Sequence, residues 1–333
     1  MKRLAVLFLI IVGVLAWAHR AMISMPGESH RGALPPATET QREIAARTQE
    51  DVAKLAGELG GRSLFFPRKL AQAALFIDES LTSMGYTTQS YSYASHGSTC
   101  PNIEVEVTGV TLPGEIIVIG AHYDAFQGSA GADDNASGVA GVLELARRFH
   151  ARPAARTLRF VLFVNEEPPC FMTDDMGSLV YARQCRARGD NIVAMLSLES
   201  IGYYSDAEGS QKYPPPLNML YPSRGNFIAF IGNYGSRALV RDAIDSFRTH
   251  AAFPSEGAAL FEGVPGVGWS DHWAFWQCGY NAIMVTDTAT FRNPNYHTAG
   301  DRPETLDYDR MSRVIDGLHD VILDLAASAE RPR

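Results

Sequence analysis

No basic stripe runs along this chain of 333 residues. Asp and Glu outnumber Lys and Arg by 37 to 29, for a net charge of −8. A protein that grips a polyanionic backbone needs clustered cations, so a nucleic-acid partner is excluded. The densest basic stretch, "RQCRARG" at 183–189, closes a helical pattern, where cations are expected against the helix dipole. Cysteine is scarce too. Cys100, Cys170, Cys185 and Cys278 fit no zinc-knuckle spacing. An oxidising compartment would permit three full pairings, and the sequence does not choose among them. No G-x-S-x-G frames a serine, since "YGSRA" at 234–238 lacks the first glycine. That argues against a serine hydrolase. No G-x-G-x-x-G follows the first strand pattern, so a dinucleotide site is unsupported. After the first residues no apolar run reaches membrane length, and the body is expected to be soluble.

What is present begins with a charged start, Met1-Lys2-Arg3, followed by "LAVLFLIIVGVLAWA" at 4–18 and then His19-Arg20. Ala16-Trp17-Ala18 has the small-x-small form of a signal cleavage site. Ala21 and Met22 could also lengthen the run into a retained anchor. Residues 1–22 are therefore expected to be a signal peptide or a membrane anchor. The expected location is periplasmic or extracellular, with tethering to the inner membrane left open. Residues 23–39, rich in Pro and Gly, read as an extended leader.

From 40 to 330 there is no linker and no internal repeat, which predicts one domain. With 46% hydrophobic residues it can bury a core. A capping pattern at Thr40 and Glu43 predicts a helix to about Gly60, and Pro67 opens another over 65–86. Residues 87–109 alternate like half-buried strands. Beyond 114, apolar strand patterns (114–124, 156–167, 191–200, 226–232, 280–288) alternate with helical ones (137–151, 177–189, 237–250, 270–279, 306–329). A long loop is expected over 203–225. This predicts an α/β fold: a mixed, mostly parallel sheet with helices on both faces.

In such sheets ligands bind beyond the carboxyl ends of the strands. Those ends carry a consistent chemistry. His122 and Asp124 follow "EIIVIGA", and Asp133 and Asp134 lie in "GADDNASG". Glu166 and Glu167 follow "RFVLFVN", Glu199 closes "AMLSL", and Tyr296 and His297 lie in "FRNPNYHT". Taken singly each is ordinary: a histidine is more often a satisfied core or surface residue, and an Asp pair before a helix caps it. Gathered at one edge, several carboxylates would repel one another and be costly to desolvate. Divalent cations remove that cost, and imidazoles among the carboxylates favour zinc, with cobalt or manganese as alternatives, over calcium.

The string "AHYDA…GADDNASG…NEE…LES…YHT" resembles the M28 family of zinc aminopeptidases and related hydrolases, and "NEEPPCF…MGSLVYA" resembles an exported bacterial subgroup. The resemblance covers about 40–330. It implies two zinc ions per chain, with Asp134 bridging them. His297 and Glu167 would complete one site, and His122 and Glu199 the other, although many relatives carry Asp where Glu199 stands. It also implies Glu166 as general base, Tyr296 as an oxyanion donor, Asp124 orienting the ring of His122, and a cis Asp134–Asn135 peptide. The implied activity is removal of N-terminal residues from peptides with a free N-terminus by a metal-activated water. Glutaminyl cyclisation with one zinc, a carboxypeptidase-type activity, and a non-enzymatic binding protein stay as alternatives. Trp273, Phe275 and Trp276 are candidates for an apolar specificity pocket or for helix core. Arg224 and Arg292 are candidates for holding a substrate carboxylate. Oligomeric state is not legible.

Overall fold

The computed structural model of the protein describes residues 2–327. Eight strands form one sheet: β1 (Gln89–Ser95), β2 (Ser98–Val107), β3 (Leu112–His122), β4 (Arg156–Phe163), β5 (Asn191–Glu199), β6 (Ile228–Asn233), β7 (Ser255–Leu260) and β8 (Ala282–Thr286). Their order across the sheet is β1-β2-β4-β3-β5-β8-β6-β7. The central run β4-β3-β5-β8 is parallel throughout, and β6–β7 is parallel as well. The joins β1–β2, β2–β4 and β6–β8 are antiparallel.

The apolar runs explain this centre. Alternate residues of β3 feed two cores: Ile117, Ile119 and Ala121 face one, Ile116 and Val118 the other. A strand buried on both faces must read as continuous apolar sequence. One face is covered by α2 (Glu39–Val52), α3 (Pro67–Ser83), α4 (Gly138–Phe149), α6 (Arg237–His250) and α9 (Tyr308–Ala327). The other is covered by α5 (Gly177–Arg188) and α7 (His272–Gln277). A short α8 (Ala289–Arg292) follows β8. At the N-terminus, α1 (Lys2–Ala18) runs into a π-helical turn, His19–Ile23.

Two expectations change. The capping box of α2 is made by Thr38 and Gln41 rather than Thr40 and Glu43. Both registers satisfy the same pattern, and the Thr38 register adds a reciprocal bond from its N–H to Gln41 Oε1 at 3.1 Å. Strand β7 was not expected at all. "SEGAAL" is made of small, weak strand formers, and it pairs because β6 and the neighbouring chain hold it. All four cysteines are free thiols, three of them buried.

Candidate metal centre

The topology brings the strand ends together. β3 ends at His122, which is in register with Phe163 at the end of β4, and Glu199 at the end of β5 pairs with Thr286 of β8. Four residues after β4 stands Glu167. The loop leading into α4 brings Asp134, and the loop after α8 brings Tyr296 and His297.

Asp134 sits between the two histidines. Its Oδ1 lies 3.3 Å from His122 Nε2, and its Oδ2 lies 3.0 Å from His297 Nε2. His122 Nε2 is also 3.2 Å from Glu199 Oε2, and His297 Nε2 is 3.3 Å from Glu167 Oε1. Two ligand groups result, His122–Asp134–Glu199 and Asp134–Glu167–His297; within each group the donor atoms lie within 4.8 Å of one another. Glu166 is in neither, and its Oε2 stands 3.9 Å from His122 Nε2. Asp124, Tyr296 and the five candidate ligands from the sequence stand in this cluster or beside it.

Local backbone explains the placement. Gly131 has φ +66°, and a Cβ there would meet Ala125 Cβ at 2.5 Å and the Asp134 carbonyl oxygen at 2.6 Å. Only glycine fits that turn. The Asp134–Asn135 peptide is cis. Asn135 then ties the loop to β5: its Nδ2 donates to Leu198 O, and its Oδ1 accepts from Ser200 N. Asp301, which carries no motif, accepts from the amides of Asp133 and Asp134 at 2.8 and 3.2 Å. Asp124 does more than face His122 Nδ1 at 3.5 Å. Its two carboxylate oxygens accept from the amides of Glu166 and Glu167, each at 3.1 Å. One carboxylate thus fixes both glutamates, while the backbone carbonyl of the same residue takes the hydrogen bond of His122 Nδ1 at 3.2 Å. Phe126 stacks on His297 at 4.0 Å, with Tyr296 on it at 3.9 Å, and Ser270 Oγ donates to Glu199. Phe126 and Ser270 had no signal in the sequence beyond lying in loops near motif residues.

Burial acts first on these groups. It lifts Glu166 well above the usual carboxyl range and Glu167 to about 8. Burial also disfavours charge on the imidazoles, but neighbouring carboxylates outweigh it. Glu166 and Glu199 hold His122 well above its ordinary value, and Asp134 and Glu167 hold His297 at about 10. For Asp134 burial is likewise outweighed: bonds to both histidines hold it below the usual carboxylate range. The cluster therefore calls for positive charge, in protons or in metal. His122 Nε2 and Glu167 Oε1 are buried and complete no hydrogen bond among the described residues, despite neighbours at 3.2–3.3 Å. Lone pairs crowded without pairing are what a divalent cation would satisfy, and imidazole with carboxylate is a zinc-type donor set. The residues fit the metal.

Two cavities adjoin the cluster. One is lined by Asp134, Glu166, Glu167, Glu199, Tyr296 and His297. The other opens beside Glu199 and Tyr296 and is mainly apolar, with Leu217, Phe227, Ile231, Met284 and Phe291 in its wall. The long loop 203–225 contributes Tyr213, Leu217 and Tyr221 to its wall. Two aromatics, Trp269 and Tyr296, line both cavities. Trp273, Phe275 and Trp276 line neither. Phe275 is fully buried against Phe163 and Tyr181, and Trp276 Nε1 donates to Ala282 O; they serve the core. The arginine candidates are also committed elsewhere. Arg224 is exposed and ion-paired with Glu208 at 2.9 Å, and Arg292 is buried, bonding Gln211 and Phe227 O.

A parallel-centred α/β sheet with this buried donor cluster at its carboxyl edge defines the class: a metallopeptidase of the aminopeptidase type. The sequence profile described as peptidase family M28 matches residues 102–322. The chain belongs to that family. It is 38% identical over 261 residues to the protein YfbL of Escherichia coli K12, across 75% of this chain and 78% of that one. Its fold is similar to that of the zinc aminopeptidase BSAP from Bacillus subtilis (TM-score 0.68, 14% identity, 87% of this chain and 96% of that one). It is also similar to that of a glutaminyl cyclase from Fimbriiglobus ruber (TM-score 0.61, 17% identity, 89% and 98%).

Proposed function

We propose that residues 40–330 form an exported aminopeptidase domain that holds two zinc ions, one in each ligand group, with Asp134 shared. The observation that carries this reading is the split of Asp134, one oxygen toward each histidine, with a separate glutamate completing each side. The completeness of the His122–Glu199 side favours two ions over the single ion of a cyclase. Ions held there would polarise a scissile carbonyl and lower the pKa of water.

The chain's own groups supply the rest. Glu166, kept out of both ligand groups and lining the polar cavity, takes the proton of the attacking water and passes it to the leaving amine. Tyr296, on the wall shared by both cavities, donates from its hydroxyl to the developing oxyanion. Carboxylates facing the polar cavity receive the substrate's α-ammonium. The apolar cavity takes the side chain of the first residue, so bulky apolar N-termini are preferred. Both arginines considered for a C-terminal carboxylate are engaged elsewhere, which speaks against a carboxypeptidase. The N-terminal segment supports export.

The test is a panel of aminoacyl amides, N-acetylated peptides and Gln-initiated peptides. Hydrolysis of leucyl and phenylalanyl amides, abolished by N-acetylation, is expected. Release of ammonia from a Gln-initiated peptide without a free amino acid would establish the cyclase instead.

A further inference from the structure

The apolar N-terminal helix and the folded body are joined without a spacer. Ahead of the residues that pack on the body, α1 (Lys2–Ala18) is a 17-residue helix, apolar after Arg3, at the lower end of the length that crosses a membrane. From Val6 to Val12 every side chain is large, apolar and at least 44% exposed, an apolar surface that a body in water does not keep uncovered. Directly after α1, residues 19–29 strap across β7, the open edge of the sheet. Met22 is buried in the core of the α5–α7 face, and Met25 packs on Gly257 of β7. Ser29 Oγ accepts from Ser255 N at 2.8 Å, while Arg248 and Arg241 donate to Pro26 O and Ser24 O. The strap is therefore part of the fold.

The last turn of α1 continues into an exposed apolar rim on the body. Trp17 lies 6.0 Å from the ring of Tyr234, and Tyr234 lies 6.3 Å from Phe261, which directly follows β7. Phe261 is 61% exposed. Met219 and Leu220 are exposed as well, and they precede Tyr221, whose hydroxyl donates to Gly257 O of β7. Arg20 is exposed at the helix exit, and Arg237 stands 4.6 Å over the Tyr234 ring. Aromatic rings with nearby arginines, at the end of an apolar helix, match the interfacial zone of a bilayer with anionic headgroups.

We propose that α1 stays on the mature protein as a membrane anchor, and that the strap holds the β7 edge, with Phe261, Met219 and Leu220, against the phospholipid surface. A helix that ends in a docked strap leaves no slack, so the body keeps one fixed face to the membrane. That face carries the covering loop of the apolar cavity, and the enzyme then meets its substrates at the bilayer surface.

The test uses the full chain, purified from membranes and reconstituted into phosphatidylcholine–phosphatidylglycerol vesicles whose acyl chains are brominated near the headgroup. Intact mass should include residues 1–18. Bromolipid quenching of tryptophan emission should fall in Trp17→Phe. Adding Phe261→Trp to that variant should restore quenching, and adding Leu75→Trp, on α3 near the opposite edge, should not. Each measurement reads lipid contact and is independent of peptidase activity. A membrane-derived chain starting at His19, or equal quenching at positions 261 and 75, overturns the proposal. So does no quenching at 261, the outcome if another protein, rather than lipid, covers the rim.

Discussion

Asp124→Asn isolates the clamp that sets the two glutamates. In the folded protein both carboxylate oxygens are occupied, each accepting a backbone amide at 3.1 Å. An asparagine has one acceptor and one NH₂ donor. Whichever way it turns, one of the two amides faces a donor. A hydrogen bond to a charged acceptor contributes about 1.5–3 kcal/mol, and a buried amide left unsatisfied costs about 1–3 kcal/mol. Loss of one negative charge near buried Asp271 relieves some repulsion, which trims the total. A net destabilisation of roughly 2–4 kcal/mol follows, a drop in Tm of about 3–6 °C for a protein of this size. Because the same carboxylate fixes the amide of Glu167, one of the candidate ligands, zinc affinity should fall about 10–100-fold, the usual effect of losing a partner behind the ligands. Differential scanning calorimetry with chelator and competitive zinc titration read the two effects separately. An Asp124→Asn protein with unchanged Tm and unchanged zinc affinity would refute the clamp.

Filling the apolar cavity should change preference rather than chemistry: Ala229→Leu should lower kcat/KM for phenylalanyl amide relative to alanyl amide by roughly 1–3 kcal/mol, or about 10–100-fold, and equal losses on both substrates would place the side-chain pocket elsewhere. His272 is fully buried, donates to Val267 O at 2.7 Å, and has its pKa lowered to about 4 by burial. An unfolded histidine titrates near 6.5, so the unfolded state gains the proton first. The stability tied to a neutral His272 is present above pH 6.5 and is lost as pH falls toward 4, by about 3 kcal/mol at the limit. Urea unfolding should show this acid-side loss shrinking in His272→Gln; an unchanged pH dependence would mean that His272 is charged in the fold.

The sheet centre was legible because a strand covered on both faces has to be apolar throughout, and β3, β4, β5 and β8 are. The cluster was legible because His122 and Glu199 close β3 and β5, Glu167 closely follows β4, and Asp134 and His297 lie in the segments that leave β3 and β8 at the same edge. Long-range partners were not. Asp301 reaches the Asp133–Asp134 loop from 168 and 167 residues away, and no local pattern marks such an acceptor. The edge strand β7 has little intrinsic strand character and exists through its neighbours. Trp273, Phe275 and Trp276 stood between pocket and core because a short amphipathic helix shows aromatics without showing which face meets the cavity; they fall to the core, and Trp269, just before that helix, lines both cavities.

The central claim is the division of labour between two adjacent carboxylates, Glu167 holding metal and Glu166 moving a proton. The direct measurement is zinc content and turnover, side by side, for Glu166→Gln and Glu167→Gln. Glu166→Gln should keep the wild-type zinc content, about two per chain, and lose turnover by about 10²–10⁴-fold, the usual contribution of a general base. Glu167→Gln should lose zinc and activity together, and lose stability with them because metal binding is linked to the folded state. Zinc lost from Glu166→Gln but kept in Glu167→Gln, or turnover unaffected in both, would contradict the assignment.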